Sequence, residues 1–311
     1  MAHAFLKPET LVNASLGTLE RELVLTQFLW RDAEANFTGS NGPKGDKISI
    51  RVPGRMTEGR ELAWRTSART IVTDDIKEGS IDIELDTYAY KAVDLLDEEL
   101  TLDVEPFGDR VLRPMTQAVA EHLENKVAAF IQATTFVHTV EIALTGERRI
   151  YNALLSARTK LNQSFVPRAD RVAIIGSNLE EIALQDPSLV DVDRSGSSAA
   201  LREASIGRIA GFELFGTDNI DPDEMYVFHR TAFPAVIRAP KPARGVAFSS
   251  SATFNGLALT YWEDYNSVNA SDRAFVGTFF GLNRTLDPVD LTDPAGTTHF
   301  VRGVKLVLAT P

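Results

Sequence analysis

The sequence predicts a mixed α+β subunit, because runs with strand periodicity and runs with helix periodicity both occur along its 311 residues. Apolar side chains recur at every second residue in 47–52 and again in 81–95, as in half-buried strands. Between residues 111 and 130 they recur at helical spacing instead. Several short strand-like runs separated by turn residues follow in 207–240. We therefore expect helices packed on sheets, within one large domain or two moderate ones.

Bulk composition is that of a globular protein with a substantial core. Hydrophobic residues make up 44% of the chain and charged residues 24%. Because there is no cysteine, disulfides and thiolate metal sites are excluded. Glu9, Glu20, Arg21 and Glu22 interrupt the N-terminal segment, and no run of 18 apolar residues occurs. Neither a signal peptide nor a transmembrane helix is predicted, and we expect a soluble protein without a membrane partner.

An amphipathic helix is predicted near the N-terminus. Its apolar residues recur at intervals of three, four and seven positions, and they are Val12, Leu16, Leu19, Leu23 and Trp30. The segment 38–46 that follows is rich in glycine and has the composition of a hinge. It lacks the Gly-Lys-Ser/Thr ending of a phosphate-binding loop, which disfavours nucleotide binding there.

Two extended legs predict a long hairpin. Ile48, Ile50 and Val52 share one face of the first leg, which ends at Pro53 and Gly54. The apolar face of the return leg consists of Ile81, Ile83, Leu85, Ala89, Val93 and Leu95. Because a two-stranded hairpin alone is only marginally stable in water, we expect its apolar face to be covered by another copy of the chain. The alternative is that the hairpin folds back on its own domain.

Charge is distributed unevenly around this hairpin. Residues 40–70 carry seven Lys or Arg against three acids, whereas residues 72–109 carry thirteen acids against two lysines. The two segments either pair within one subunit or join neighbouring copies, where charge would set the register of assembly. The candidate intersubunit residues are Lys47, Arg51, Arg55, Arg60 and Arg65, with Asp97, Glu98 and Glu99 as acceptors. The net charge of −11 disfavours direct DNA binding.

Two further helices and a buried strand are predicted in the middle of the chain. The long helix is predicted to span about 25 residues that include 111–130. Asp109 is its predicted N-cap, and Pro114 lies in or near its first turn. A second helix, with Ile150 and Leu161 near its ends, leads into a strand at 172–175. Ser177 and Glu180 fit a capping box that opens a short helix. The turn at 175–178 has a single glycine, which disfavours a dinucleotide-binding fold.

No catalytic grouping is recognised in the sequence. The five histidines, His3, His122, His138, His229 and His299, are scattered, and we interpret His229 as a packed or surface histidine. Acidic runs such as 97–99 are interpreted as solvated faces, so neither a metal nor a cofactor is expected. Strands are also predicted at 257–262, 274–280 and 304–308, with a loop at 287–298. The chain is therefore not expected to be an enzyme.

Three stretches, taken in order, resemble a known family. They are GRIAGFELFGTDNIDPDEMYVFHRTAFPAVIRAP at 207–240, FTGSNGPKGDKISIRVPGR at 37–55 and LLDEELTLDVEPFGDRVLRPMTQAVAEHLENKVAAFI at 95–131. The chain resembles the tailed-bacteriophage major capsid proteins of the Hong Kong 97 type. The resemblance implies an N-terminal arm, an extended β-hairpin loop, a long spine helix, and peripheral and axial domains. The implied boundaries are 1–38 for the arm, 39–95 for the loop, 96–146 for the peripheral domain, 147–240 for the axial domain, and 241–311 for strands completing both domains.

The same resemblance implies an icosahedral shell of pentamers and hexamers that encloses double-stranded DNA without sequence-specific binding. It also implies a separate scaffolding protein, a portal and a decoration protein, with assembly in the host cytoplasm and residence in the virion. Two alternatives stay open at this point. One is an encapsulin-like nanocompartment that encloses an enzyme cargo, and the other is a soluble α/β enzyme.

Overall fold

The computed structural model describes residues 25–31, 47–53, 59–62, 64–65, 70–71, 73, 78–96, 108–185, 208–242, 244–246, 248–254, 257–268, 271–288 and 297–309. Three α-helices lie in these ranges, α1 (Arg113–Ala133), α2 (Arg149–Gln163) and α3 (Ser177–Leu184). The strands are β1 (Lys47–Pro53), β2 (Glu78–Glu84), β3 (Thr87–Leu96), β4 (His138–Ile142), β5 (Arg171–Ile175), β6 (Arg208–Ile209), β7 (Phe212–Gly216), β8 (Glu224–His229), β9 (Ala235–Arg238), β10 (Phe248–Phe254), β11 (Leu257–Asn266), β12 (Ser271–Leu282), β13 (Asp287–Pro288), β14 (Thr298–His299) and β15 (Gly303–Leu308). The α+β prediction is confirmed.

One antiparallel sheet of five strands runs in the order β10-β11-β12-β3, and β9 also pairs with β12. Helix α1 covers one face of this sheet. Met115, Val119, Leu123 and Val127 lie on the buried stripe of α1, as the helical spacing predicts. The sheet contributes Ala89, Leu259, Tyr261, Ala274, Val276 and Phe280 to the same core. The strand β10 was not predicted, because its sequence FSSSATF is mostly polar.

A second sheet of six strands has the order β4-β15-β8-β5-β7-β6. The pairs β4 with β15 and β5 with β7 are parallel, and the others are antiparallel. Helices α2 and α3 contribute to the core on one side of this sheet, together with Ala173, Met225 and Val227. Ile174 and Tyr226 alternate with them and face the core of α1. The sheet is therefore a wall between two cores, which explains why every residue of β5 is buried.

The starts of the helices differ from their predicted caps. A π-helical turn, Gly108–Leu112, precedes α1, so Asp109 lies within that turn and the N-cap prediction is wrong. At α3 the N-cap is Gly176, which places Ser177 inside the helix, and no side chain caps it. A side chain on Gly176 would meet the carbonyl oxygen of Pro222 at 2.7 Å, so the close approach of these backbones requires glycine.

The predicted N-terminal helix does not extend through Trp30. Leu25–Phe28 forms a 3-10 turn, and Trp30 pairs with Pro234 in an isolated parallel bridge. The remainder of that prediction, and the hinge at 38–46, lie outside the described residues. At the C-terminal end, the predicted strands are confirmed as β11, β12 and β15. The predicted loop at 287–298 is partly wrong, because its ends pair as β13 and β14.

Within the described ranges, α1, α2 and α3 all lack the combination of length and apolar character that a membrane-spanning helix needs.

Candidate functional site

The predicted hairpin is formed by β1 and β2, which pair antiparallel from Lys47 opposite Glu84 to Pro53 opposite Glu78. Its two legs are joined by an ion pair, with Lys47 Nζ 2.8 Å from Asp82 Oδ2. The hydroxyl of Ser49 donates a second hydrogen bond to the same carboxylate. These contacts lower the pKa of Asp82, chiefly through its hydrogen bonds with Lys47 and Ser49. Part of the basic strand therefore pairs with the acidic strand of its own chain.

The base of the hairpin is held by its own subunit. Ile81 and Ile83 are buried, and Ile83 packs with Val236 of the five-stranded sheet. The side-chain amide of Asn283 donates a hydrogen bond to the backbone oxygen of Asp82. The expectation that another copy covers the apolar face is therefore wrong for Ile81 and Ile83. The cover comes from within the chain because β2 continues into β3 across Leu85 and carries Ile83 against β9.

The connection between β1 and β2 is exposed wherever the structure describes it. Its apolar side chains lie largely in solvent, with Trp64 84% exposed and Ile71 77% exposed. Arg60 and Arg65 are exposed beside them, and Arg65 has a left-handed backbone with φ of 59°. Large exposed apolar groups next to cations are typical of a contact surface. Among the hairpin residues whose side chains are described, those of the connecting end thus present large apolar groups to a partner.

The remaining predicted contact residues are only partly placed. Arg51 lies in β1 opposite Ser80, and its side chain is outside the described part of the structure. Arg55 and the acceptors Asp97, Glu98 and Glu99 also lie outside the described residues. The assignment of these eight residues to intersubunit contacts stays a prediction.

A row of aromatic rings covers the other face of the five-stranded sheet, opposite α1. Trp262 stacks on Phe275 with ring centroids 4.5 Å apart, and Tyr90 stacks on the same ring at 5.4 Å. Tyr88 lies 4.7 Å from Phe279 and is 44% exposed. These cross-strand contacts join β3, β12 and β11. Trp262 itself is partly exposed.

A cavity of about 600 Å³ opens where β4, β8, β14 and the end of α2 meet. His138, His229 and His299 line it, together with Phe165 and Arg302. The sequence interpretation missed this cluster, because 91 and 70 residues separate the three histidines and only the strand order brings them together. Among the described residues, no group of three or more His, Asp or Glu side chains could hold a metal ion.

The electrostatics of this cavity are set by Arg302 and His229. The Arg302 guanidinium forms two hydrogen bonds with the Asp287 carboxylate, at 2.7 and 2.6 Å. His229 is packed, at 6% exposure, which confirms its interpretation. Burial, followed by the charge of Arg302, lowers the pKa of His229. Burial and the charge of Lys160 likewise lower the pKa of His138.

Comparison with known proteins identifies the family. The family described as phage capsid protein matches residues 77–277 of the chain. No curated protein matches this chain. A solved structure from Mycobacterium phage Che8 is 17% identical, with a TM-score of 0.63 over 91% of this chain and 90% of that one. The capsid structure of cyanophage P-SCSP1u is 13% identical, with a TM-score of 0.59 over 86% and 85%.

A virus-like particle from Pyrococcus furiosus shares the fold as well. It is 13% identical, with a TM-score of 0.51 over 96% of this chain and 98% of that one. At such identities the likeness concerns the arrangement of helices and sheets. The family match is independent of that likeness and covers β2, β3, all three helices and most of both large sheets. The chain therefore belongs to the phage capsid protein family.

Proposed function

We propose that many copies of this chain form an icosahedral shell of the Hong Kong 97 type around double-stranded DNA. The observation that carries the proposal is the hairpin, whose base is buried in its own subunit while Trp64 and Ile71 at its connecting end lie in solvent. Such an element can reach a neighbouring copy without unfolding its own domain. A member of a capsid family is a structural protein of the virion, and this chain is accordingly not an enzyme.

The shell would be stable because each weak contact between copies is repeated many times. Arg51, Arg55, Arg60 and Arg65 would contact the acidic residues 97–99 of an adjacent copy. Exposed ion pairs of this kind contribute little affinity each, and they act mainly on encounter rate and register. Lys47 has a partner in its own chain, so we assign it to the integrity of the hairpin as well.

The two separate cores support a division of the subunit into two domains. In this proposal α1 belongs to the peripheral domain, and β5 to β8 with α2 and α3 belong to the axial domain. The N-terminal segment, up to about residue 38, serves as an arm, and residues 39–95 form the extended loop. The strands after residue 241 complete both domains, as β12 and β15 do in the two sheets.

In this proposal the shell also requires other proteins during and after its assembly. Pentamers and hexamers would assemble in the host cytoplasm on a separate scaffolding protein, with a portal at one vertex and a decoration protein on the finished shell. DNA would be enclosed without sequence-specific contacts, because the net charge of −11 limits adhesion to phosphate. No cofactor is required for assembly.

Expression of the full chain followed by negative-stain microscopy tests the proposal. We expect closed particles of uniform diameter. Nucleic acid should then be recovered from particles that are produced in infected cells. A small monomer in light scattering at micromolar concentration would contradict the proposed shell. A companion enzyme inside the particles, in place of nucleic acid, would show that the shell is a nanocompartment and not a container for a genome.

A further inference from the structure

The cavity that His138, His229 and His299 line contains a directed chain of hydrogen bonds. Arg302 donates from a guanidinium nitrogen to the Thr231 hydroxyl at 2.8 Å. That hydroxyl lies 2.8 Å from His229 Nδ1, and the backbone N–H of Thr231 donates to the same nitrogen at 3.2 Å. A nitrogen that accepts from a backbone N–H carries no proton, so His229 bears its proton on Nε2. The chain therefore ends in a polarised N–H donor.

This donor has no acceptor among the described residues. Both hydrogen bonds of the His229 ring use Nδ1, and the residue as a whole is 6% exposed. A buried donor without an acceptor is costly, so such a group is typically satisfied by a partner. The ring lines the cavity, which is the space from which an acceptor can reach it.

A second buried group points to an acceptor with negative charge. Arg171 is 5% exposed, and in the described part of the chain its guanidinium donates only to neutral oxygens, those of Pro167, Asn162 and Val166. Pro167 and Val166 both line the cavity. Arg302 is already paired with Asp287, which leaves the charge of Arg171 uncompensated by an ion pair. Arg171 itself does not line the cavity, but a carboxylate there would bring a negative charge to the side where two of its hydrogen-bond acceptors, Val166 and Pro167, lie.

The rim of the cavity indicates that the carboxylate belongs to a protein. Phe165 is 70% exposed and Val137 is 52% exposed, and both line the opening. A small anion would leave these apolar side chains in water, whereas a protein surface would cover them. The most abundant surface near a shell subunit is another copy, and each copy carries 43 Asp and Glu residues.

We propose that this cavity is a socket for an Asp or Glu side chain of a neighbouring copy, which accepts the Nε2–H of His229 while its surroundings cover Phe165 and Val137. The proposal rests on the assembly proposed above and names a second contact, remote in sequence from the hairpin.

A near-atomic structure of the wild-type shell tests the socket directly. We expect a carboxylate oxygen of an adjacent copy at about 2.6–3.2 Å from His229 Nε2. A carboxylate of the same copy at that nitrogen, an ordered small anion, or an open cavity would each overturn the proposal.

Two substitutions at His229 distinguish loss of the Nε2–H donor from loss of the Nδ1 acceptor that contacts Thr231. His229→Gln keeps an N–H near the position of Nε2, whereas His229→Asn keeps only an acceptor near Nδ1. We expect the concentration of free subunit in equilibrium with shells to rise about tenfold for the Asn variant and to stay within about twofold of wild type for the Gln variant. Equal behaviour of the two variants would contradict the socket.

A third measurement does not depend on assembly. Acetate, added to unassembled full-length subunits with labelled histidine, should shift the NMR resonances of His229, and acetamide of the same shape should not. No response to acetate, or an equal response to phosphate, would overturn the assignment to a carboxylate. If wild-type subunits form no shells, the proposed function fails, and the acetate response still decides whether the cavity binds carboxylate.

Discussion

Glu124 on the long helix α1 forms a buried contact with Thr26, 98 positions earlier in the chain. One carboxylate oxygen accepts the backbone N–H of Thr26 at 3.1 Å and its hydroxyl at 2.9 Å. The other oxygen accepts the backbone N–H of Leu25 at 2.7 Å. Glu124 thus caps the 3-10 turn from another element and fixes Leu25 and Thr26 to α1.

Replacing Glu124 with alanine is expected to destabilise the subunit by about 3 kcal/mol, because three buried donors lose a charged acceptor. The measurement is urea unfolding of unassembled subunits. The matched control is Glu121→Ala, at an exposed position on the same helix, with an expected change below about 0.5 kcal/mol. Equal effects of the two substitutions would show that the contact with Thr26 contributes nothing.

Gly281 in β12 determines how closely the hairpin base can approach the five-stranded sheet. A side chain there would collide with the backbone carbonyl of Glu84 at the end of β2. We expect Gly281→Ala to cost about 1–3 kcal/mol in urea unfolding, because the backbone must shift. Gly245→Ala is the control, since a side chain there would meet nothing within 4 Å. A neutral Gly281→Ala would mean that the hairpin base moves freely.

Charge reversal at Arg60 and Arg65 tests the hairpin as a contact between copies. The double variant Arg60→Glu/Arg65→Glu should raise the free-subunit concentration about tenfold at low salt, and the increase should shrink at high salt as the charges are screened. The control, Lys241→Glu/Arg244→Glu, changes the net charge equally at two other exposed positions. Shells of the first variant that form as readily as wild type would remove these arginines from the interface.

Acid should destabilise the subunit through His138 and His229. Burial places the pKa of both groups below their usual value, with Lys160 adding to the effect at His138 and Arg302 at His229. The unfolded chain then binds more protons, so the stability from these groups is complete above about pH 6.5 and declines as the pH falls toward their folded pKa values. Unfolding midpoints from pH 7.5 to 5 measure the slope.

The slope in that range should be smaller in the double variant His138→Gln/His229→Gln. His122→Gln, at an exposed position on α1, should leave it unchanged. The same loss of stability with pH in wild type and double variant would show that other groups are responsible.

Local periodicity predicted which side chains of the return leg are buried, but it could not predict the corner in that leg. Ile81, Ile83, Ala89 and Leu95 are all buried, as alternation requires. Yet the run is two strands, because β2 pairs with β1 while β3 pairs with β12, about 185 positions later. Alternation keeps its phase across Leu85, so nothing in the sequence marks where the partner changes.

The helix starts and the cavity were beyond prediction for a similar reason. Ser177 has the composition of a cap, but the approach of Gly176 to Pro222 decides where α3 begins. His229 was correctly interpreted as packed, but its role depends on Arg302 and Thr231, which only the strand pairing brings to it. Charge segregation did predict, as one of two alternatives, that the basic and acidic segments pair within the chain, and the ion pair between Lys47 and Asp82 is such a contact.

The six-stranded sheet has a mechanical consequence, because Ile174 and Tyr226 face one core while Ala173 and Met225 face the other. Because both cores pack against the same sheet, the two halves of the subunit cannot hinge against each other without opening a close-packed interior. The subunit should therefore behave as a rigid body. A change in the curvature of a shell built from it must then be accommodated at the contacts between subunits and in the hairpin.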